Sequence, residues 1–456
     1  MAVDGIGNSL VSVCLQKHHL SSPSNCRETA VGLAHTKDDR FVNGSTRHGI
    51  GPGVRVCHLL EPPIAASLNQ VLPGRAANII WVSPGGGVAR SAHGSRVDTV
   101  SLKDVESLIA SAPPGTVVQL TPGTYRDRVT LNKVKEITIR GGPRVIFDGG
   151  VEQPEPPELK NVRIDEQGRT VWDPVYPAHP SPGIIEIKNS EGITIESLAI
   201  RNAWPNGVSI RDSKNVRITG LACEGGTNAI YAKGRSCSGI VVENSSWVQD
   251  PSGALWSSLD WQHVHHGRFN FYNGAFFQAK NIGGDVTIQN NSVSNAFNGV
   301  RIKSKGEGTI RDIVIQGNSF DNISDNAIEP ESRKGGEHSN WLIAANEFEG
   351  FHGPLSFDGV IGKDFVIEKN TLVATERPRS RMTEEPSDLD YHNGTSAMPR
   401  FFKLKTSNGE GGYGPPKIEG MLVRSNLFVQ SDYPIRLADT DFPPGTVIED
   451  NKFIES

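Results

Sequence analysis

Two short patterns alternate along this chain, and together they leave few folds open. The first is aliphatic-x-x-Asn-x-apolar: "IQGNSF" (315–320), "IAANEF" (343–348), "IEKNTL" (367–372), "VRSNLF" (423–428) and "IEDNKF" (448–453). "VTIQNNSV" (286–293) fits with Asn291 and "VVENSSW" (241–247) with Asn244, while "IESLAI" (195–200) and "ITGLAC" (218–223) put leucine in the asparagine column. The second pattern is Asn-(Gly/Ala)-aliphatic followed by alternation: "NGVSIR" (206–211), "NAIYAK" (228–233), "NGAFFQ" (273–278), "NGVRIK" (298–303) and "NAIEPE" (326–331). "GPLSFD" (353–358), "RFFKLK" (400–405) and "YPIRLA" (433–438) continue it more loosely. Short strands recurring every 22 to 28 residues or so predict a solenoid of parallel strands, in which each coil buries its apolar face only against its neighbours. Stacked asparagines predict a ladder of amides from coil to coil, each tolerating the left-handed backbone of a sharp corner.

An open solenoid end needs a cap. "SLKDVESLIASA" (101–112) reads as an amphipathic helix with Ser101 as N-cap and Val105, Leu108 and Ile109 on one face. Residues 1–75 carry no such period and read as a poorly ordered extension, leaving 76–456 as the solenoid domain. The leucine-rich alternative lacks its L-x-x-L-x-L spacing. Five cysteines at wide spacing exclude a disulfide scaffold; Cys223 and Cys237 read as reduced buried thiols, with a bridge between coils as the alternative.

The cap helix, "GTVVQLTPGTYRDRVTL" and the Asn-cornered coils resemble the right-handed parallel β-helix of the pectate-lyase-like superfamily. The resemblance implies an all-β fold and a protein that acts on or binds glycans: a polysaccharide lyase, glycoside hydrolase, uronan epimerase or adhesin. It also implies an extracellular or periplasmic setting, although no signal peptide is visible in the first residues. The partner expected is a polysaccharide or oligosaccharide, bound by a monomer. A net charge of −5 over 456 residues argues against a general nucleic-acid binder, and no apolar run is long enough to span a membrane. No organic cofactor is expected.

Alternation along the second pattern turns Val208, Ile210, Ile230, Ala232, Val300, Ile302 and Ile328 inward. The pairs expected to face outward, coil by coil, are Ser209 and Arg211, Tyr231 and Lys233, Phe276 and Gln278, Arg301 and Lys303, Glu329 and Glu331, Ser356 and Asp358, and Lys403 and Lys405. Arg301 and Lys303 then stand beside Glu329 and Glu331. This is either a ladder of surface ion pairs or a reacting site. Insertions at 151–182, 248–272 and 373–399 break the period and favour a walled cleft. In "WVQDPSGALWSSLDWQHVHHGRFNFYNGAFFQAK" (247–280), Trp247, Trp256 and Trp261 lie beside His263, His265 and His266, a composition suited to a carbohydrate subsite.

Proton removal beside a uronate carboxylate needs a base and a cation to neutralise the carboxylate. Lys303 beside Arg301 fits that pair, with Lys233 and His265 as alternative bases. Trp261, His263, His266, Arg211, Tyr231, Gln278 and Lys405 are the candidate substrate contacts. Glu329, Glu331 and Asp358 are the candidate ligands for Ca2+. One group of lyases within the superfamily holds calcium with Glu-x-Glu and uses a lysine shortly after as base; Glu329, Glu331 and Lys334 echo it. Glu329, Glu331 and Asp358 also offer paired carboxylates for a hydrolase, although neighbouring cations are expected to depress a general acid. The third reading is a non-catalytic glycan binder.

Overall fold

A computed structural model describes residues 78–90, 96–164, 170–174, 182–259, 261–357, 359–375, 400–404, 415–430 and 435–455. The expected extension over 1–75, most of the insertion at 373–399, and Asp358 and Lys405 lie outside the described residues.

Three short strands per coil stack on their counterparts in the next coil, and the chain is a right-handed parallel β-helix. Two walls merge into a 23-stranded sheet; the third is a separate ten-stranded sheet. That third sheet runs, in spatial and chain order, through β1 (Val129–Asn132), β2 (Ile185–Lys188), β3 (Asn206–Arg211), β4 (Asn228–Lys233), β5 (Ala275–Lys280), β6 (Asn298–Lys305), β7 (Ile328–Arg333), β8 (Leu355–Ser356), β9 (Arg400–Lys403) and β10 (Arg436–Ala438). Its pairings are parallel and fill the interior with Val208, Ile230, Phe277, Val300 and Ile328, each at most 1% exposed. Helix α1 (Leu102–Ala110) closes the N-terminal end with Leu102, Val105 and Ile109 buried in the core. Leu108, expected on the same face, is instead exposed. Ser101 is the N-cap residue, but its hydroxyl donates to the Asp104 carboxylate (2.5 Å) rather than accepting from the helix.

The asparagine ladder exists, with one difference in how it is built. Asn291, Asn318, Asn346, Asn370, Asn426 and Asn451 stack, each donating its amide Nδ2 to the Oδ1 of the next at 2.9–3.0 Å. The left-handed residue of each corner is not the ladder asparagine but the residue before it: Asn290 (φ 54°), Gly317 (62°), Ala345 (51°), Lys369 (55°), Ser425 (54°) and Asp450 (54°). Asn244 (φ 49°) is such a corner residue, so the ladder position in its coil belongs to Ser245, whose N–H donates to Asn291 Oδ1 at 2.9 Å. The ladder asparagine thus works through its amide while its predecessor makes the turn. Cys223 and Cys237 are free and buried, and burial pushes both thiols up, which keeps them inert.

Candidate functional site

The register between β6 and β7 sets Arg301 opposite Glu329 and Lys303 opposite Glu331, as alternation along the two patterns requires. Arg301 Nε lies 2.9 Å from Glu329 Oε2 and 2.5 Å from Glu331 Oε1; Lys303 Nζ reaches the same Glu331 oxygen at 2.6 Å. Arg333 Nε adds a contact to Glu331 Oε2 at 3.5 Å. The cluster is not a solvated ladder: Arg301 is 8% exposed, Glu329 7% and Glu331 2%. Burial makes each charge depend on its partners.

The two glutamates are pushed apart electrostatically. Burial alone raises Glu331, but the Arg301 guanidinium and Lys303 ammonium outweigh it and hold its carboxyl well below the usual range. For Glu329 burial prevails over Arg301, and the nearby Glu331 and Asp325 add to it, so its carboxyl is pushed up to about 7. The Lys303 ammonium is pushed down to about 8, first by burial and then by Arg301, against the pull of Glu331. A consequence for stability follows from Glu331. Its folded-state affinity for a proton lies below that of the unfolded chain, so the unfolded chain takes the proton first and stability is lost as pH falls below the ordinary 4.5. The melting temperature is expected to drop on acidification through that value, and to drop less steeply in Glu331→Gln; equal slopes would remove Glu331 as the cause.

The insertion at 248–272 folds over this face. Its described residues form helices α2 (Ala254–Ser257) and α3 (Trp261–His265) and a 3-10 turn, Asn270–Tyr272, around a small apolar core of Leu255, Leu259, Val264, Tyr272 and Phe297. His263 and His265 therefore lie on a helix, with His266 directly after it. His265 stacks on Trp261 (centroids 4.3 Å, planes 10° apart) and shares a hydrogen with His266 between Nδ1 and Nε2 at 2.6 Å. Its imidazole is kept neutral first by burial, then by His266, Arg301, Lys403 and Lys303, which places it over the cationic cluster. His263 turns elsewhere and packs on Trp172 of the first insertion (4.6 Å). Trp172 Nε1 donates to the His266 carbonyl at 3.0 Å, so the two insertions brace one another. Two of the three tryptophans expected to meet sugar are core residues: Trp247 is fully buried beside Phe276, and Trp256 is 8% exposed. Only Trp261 keeps a partly exposed ring.

Sequence reasoning missed three residues: Asn273, Asp325 and Lys280. Asn273 joins insertion to sheet, accepting from Arg301 Nη1 at 3.1 Å and donating to the His265 carbonyl at 3.2 Å. Asp325, 4% exposed, lies in the field of both Arg301 and Glu329 and has a carboxylate oxygen with no hydrogen-bond donor. Lys403, expected on the outer face, pairs with Ser356 one strand on. Lys280 was hidden by a register error: β5 aligns "AFFQAK" with "NGVRIK", so the outward pair is Gln278 and Lys280, and Phe276 is in the core. The shared endings "YAK" and "QAK" were the available signal.

With Lys280 in place, Lys188, Arg211, Lys233, Lys280 and Lys303 form one column on five consecutive strands. Glu186 answers its far end, at 2.8 Å from Lys188 and 3.7 Å from Arg211; Glu331 answers Lys303. Lys233 and Lys280 have no carboxylate within ion-pair distance among the described residues. Tyr231 and Gln278 stand in the neighbouring column with Arg301, the tyrosine buried and the glutamine 8% exposed. Among the described residues no three His, Cys, Asp or Glu side chains converge as metal ligands do, and no helix is long and apolar enough to cross a membrane.

No family model matches this chain, and no curated protein matches it. Solved structures similar to it include an endo-xylogalacturonan hydrolase from Aspergillus tubingensis (14% identity, 82% of this chain and 92% of that one, TM-score 0.47). Others are PfbA, a surface adhesin of Streptococcus pneumoniae (14%, 77% and 87%, TM-score 0.45), and the pectate lyase Pel9A (13%, 83% and 80%, TM-score 0.42). At these identities the likeness is one of chain path.

Proposed function

We propose that the outer face of the ten-stranded sheet takes an acidic, uronate-containing glycan and that the protein removes the proton beside a sugar carboxylate, with Lys303 as base. The observation that supports this most is the column of five cations. Neighbouring strands lie about 4.8 Å apart, and like charges set directly opposite one another repel. A rigid wall that repeats this repulsion through Lys233 and Lys280, neither ion-paired to a carboxylate among the described residues, suits a polyanion whose charges recur at about the length of one sugar unit. Lysine depressed toward neutrality is suited to proton abstraction, and Lys303 ends that column.

In the elimination, Lys303 takes the proton at C5, the electrons form the C4–C5 double bond, and the bond from C4 to the glycosidic oxygen breaks. Glu329, whose carboxyl is pushed up to about 7 and so keeps its proton in part at neutral pH, is the group beside it able to give that oxygen a proton. Lys280, Lys403 and the cluster's other cations oppose the charge that develops on the carboxylate. Epimerisation shares the first step and returns the proton to the opposite face.

A second reading has its own support. Glu329 raised and Glu331 ionised form a pair with opposite tasks, and their oxygens share one Arg301 nitrogen at 2.9 and 2.5 Å. These oxygens thus lie no more than about 5.4 Å apart, closer than the carboxyl groups of an inverting pair. The expectation that neighbouring cations depress the acid does not describe Glu329, because its burial outweighs them. The buried, triply paired Glu331 makes a poor nucleophile, which places this reading second.

A panel of acidic and neutral glycans decides between them. Ultraviolet absorbance from an unsaturated uronate marks the lyase; new reducing ends without it mark the hydrolase; inverted uronate marks the epimerase; retention without product marks a binder. Substituting Lys233 and Lys280 together by alanine is expected to weaken retention of an acidic glycan on the order of tenfold and to flatten its salt dependence. Unchanged retention would remove the column from the substrate path.

A further inference from the structure

A calcium ion held by Glu329 and Glu331 does not fit the residues present, and the reason is informative. The two carboxylates already converge on a cation of the protein's own. Arg301 Nε stands 2.9 Å from one and 2.5 Å from the other, and Lys303 occupies the same Glu331 oxygen at 2.6 Å. All three side chains of the Arg301–Glu329–Glu331 unit are buried, so an added divalent ion would bring a third cationic centre into a space where Arg301 is nine-tenths enclosed. Asn273 fixes the guanidinium from the insertion side at 3.1 Å, so it is held in place rather than resting there.

We infer that the Arg301 guanidinium fills the place a divalent cation would take between Glu329 and Glu331, and that this cluster reacts without a bound metal. A guanidinium offers charge and directed N–H donors together and, unlike a metal ion, does not leave in a chelator. Its removal exposes what it masks. Glu329, Glu331 and Asp325 would then be three buried carboxylates with one fewer counter-charge, and Asp325 already has an oxygen that no donor meets. Hard oxygen donors of that kind bind calcium.

The reading of this face as the reacting one comes from the preceding section; the metal question is decided by binding alone, so failure of glycan turnover leaves it standing. Calcium chloride and a chelator are added separately to the full chain, and melting temperature and calcium binding by titration calorimetry are followed. For the wild type, neither addition is expected to shift the melting temperature, and no saturable calcium site at this cluster is expected. Arg301→Gln is expected to melt about 5 °C or more lower, and to regain part of that loss with calcium, binding it at least on the order of tenfold more tightly than the wild type. Should the glutamine variant fold only when calcium is present during refolding, that rescue is the same result. Arg301→Lys, which keeps the charge on a shorter reach, is expected to gain less calcium affinity than Arg301→Gln. Calcium stabilisation of the wild type that disappears in Glu331→Gln overturns the inference. So does an Arg301→Gln protein, folded, that calcium leaves unchanged.

Discussion

Lys303→Ala is expected to lower turnover of an acidic glycan by about 10²–10⁴-fold, the range a positioned general base supplies, while the protein stays folded. The fold survives because Glu331 keeps Arg301 at 2.5 Å and Arg333 at 3.5 Å, so no buried carboxylate is left bare. Lys303 is also the edge of its cluster, with 16% of its side chain exposed. Lys303→Arg separates chemistry from packing: a guanidinium restores the charge beside Glu331 but stays protonated, so it should restore the melting temperature and not the rate. In the wild type, turnover should rise and then fall with pH, with its maximum between about 7 and 8, because Lys303 must lose its proton near 8 while Glu329 must still hold the one it loses near 7. Undiminished turnover in Lys303→Ala, or full rescue by arginine, would show that the lysine is a structural counter-ion.

Asn346→Ala is expected to cost roughly 3–5 kcal/mol in urea denaturation. Asn346 is fully buried in the middle of the ladder. Its Oδ1 accepts from the Asn318 N–H (3.0 Å) and the Asn318 amide (2.9 Å), and its Nδ2 donates to the Ile315 carbonyl (2.9 Å) and to Asn370 Oδ1 (3.0 Å). Alanine removes all four bonds and leaves donors of Asn318 and the Ile315 carbonyl unmet away from water. Asn451→Ala, at the last rung and only partly buried, should cost roughly 1 kcal/mol, because water reaches what is uncovered there. Equal costs at the two positions would mean that the ladder does not act through desolvated amides.

The fold was legible because a solenoid repeats its constraint. Every coil needs apolar residues inward and a corner residue in place, so the same spacing appears many times in one chain. The direct neighbours Arg301, Glu329, Lys303 and Glu331 were legible for the same reason: parallel register turns a sequence offset of one coil into contact. Errors arose where the period was reset. The insertion before β5 shifted the outward pair by two residues, which hid Lys280 and put Phe276 on the wrong side. A second miss was one of alignment: Val242 rather than Val241 holds the aliphatic position, so the ladder position falls to Ser245 and Asn244 makes the corner.

Burial and convergence across insertions had no counterpart in the pattern. Alternation told which side of the wall Glu329 and Glu331 face, but not that both are nearly sealed from water. That enclosure is what sends one carboxyl up and the other down. Trp247 and Trp261 look alike in the string, yet one packs into the solenoid and the other lies over its face. Local spacing thus determined the coils, the ladder and the opposed charges, because each of these is set by neighbours one coil away. The acidity of those charges, the neutral His265 above them and the tie through Asn273 were decided only by the folded chain, because solvent exclusion depends on everything that packs around a group.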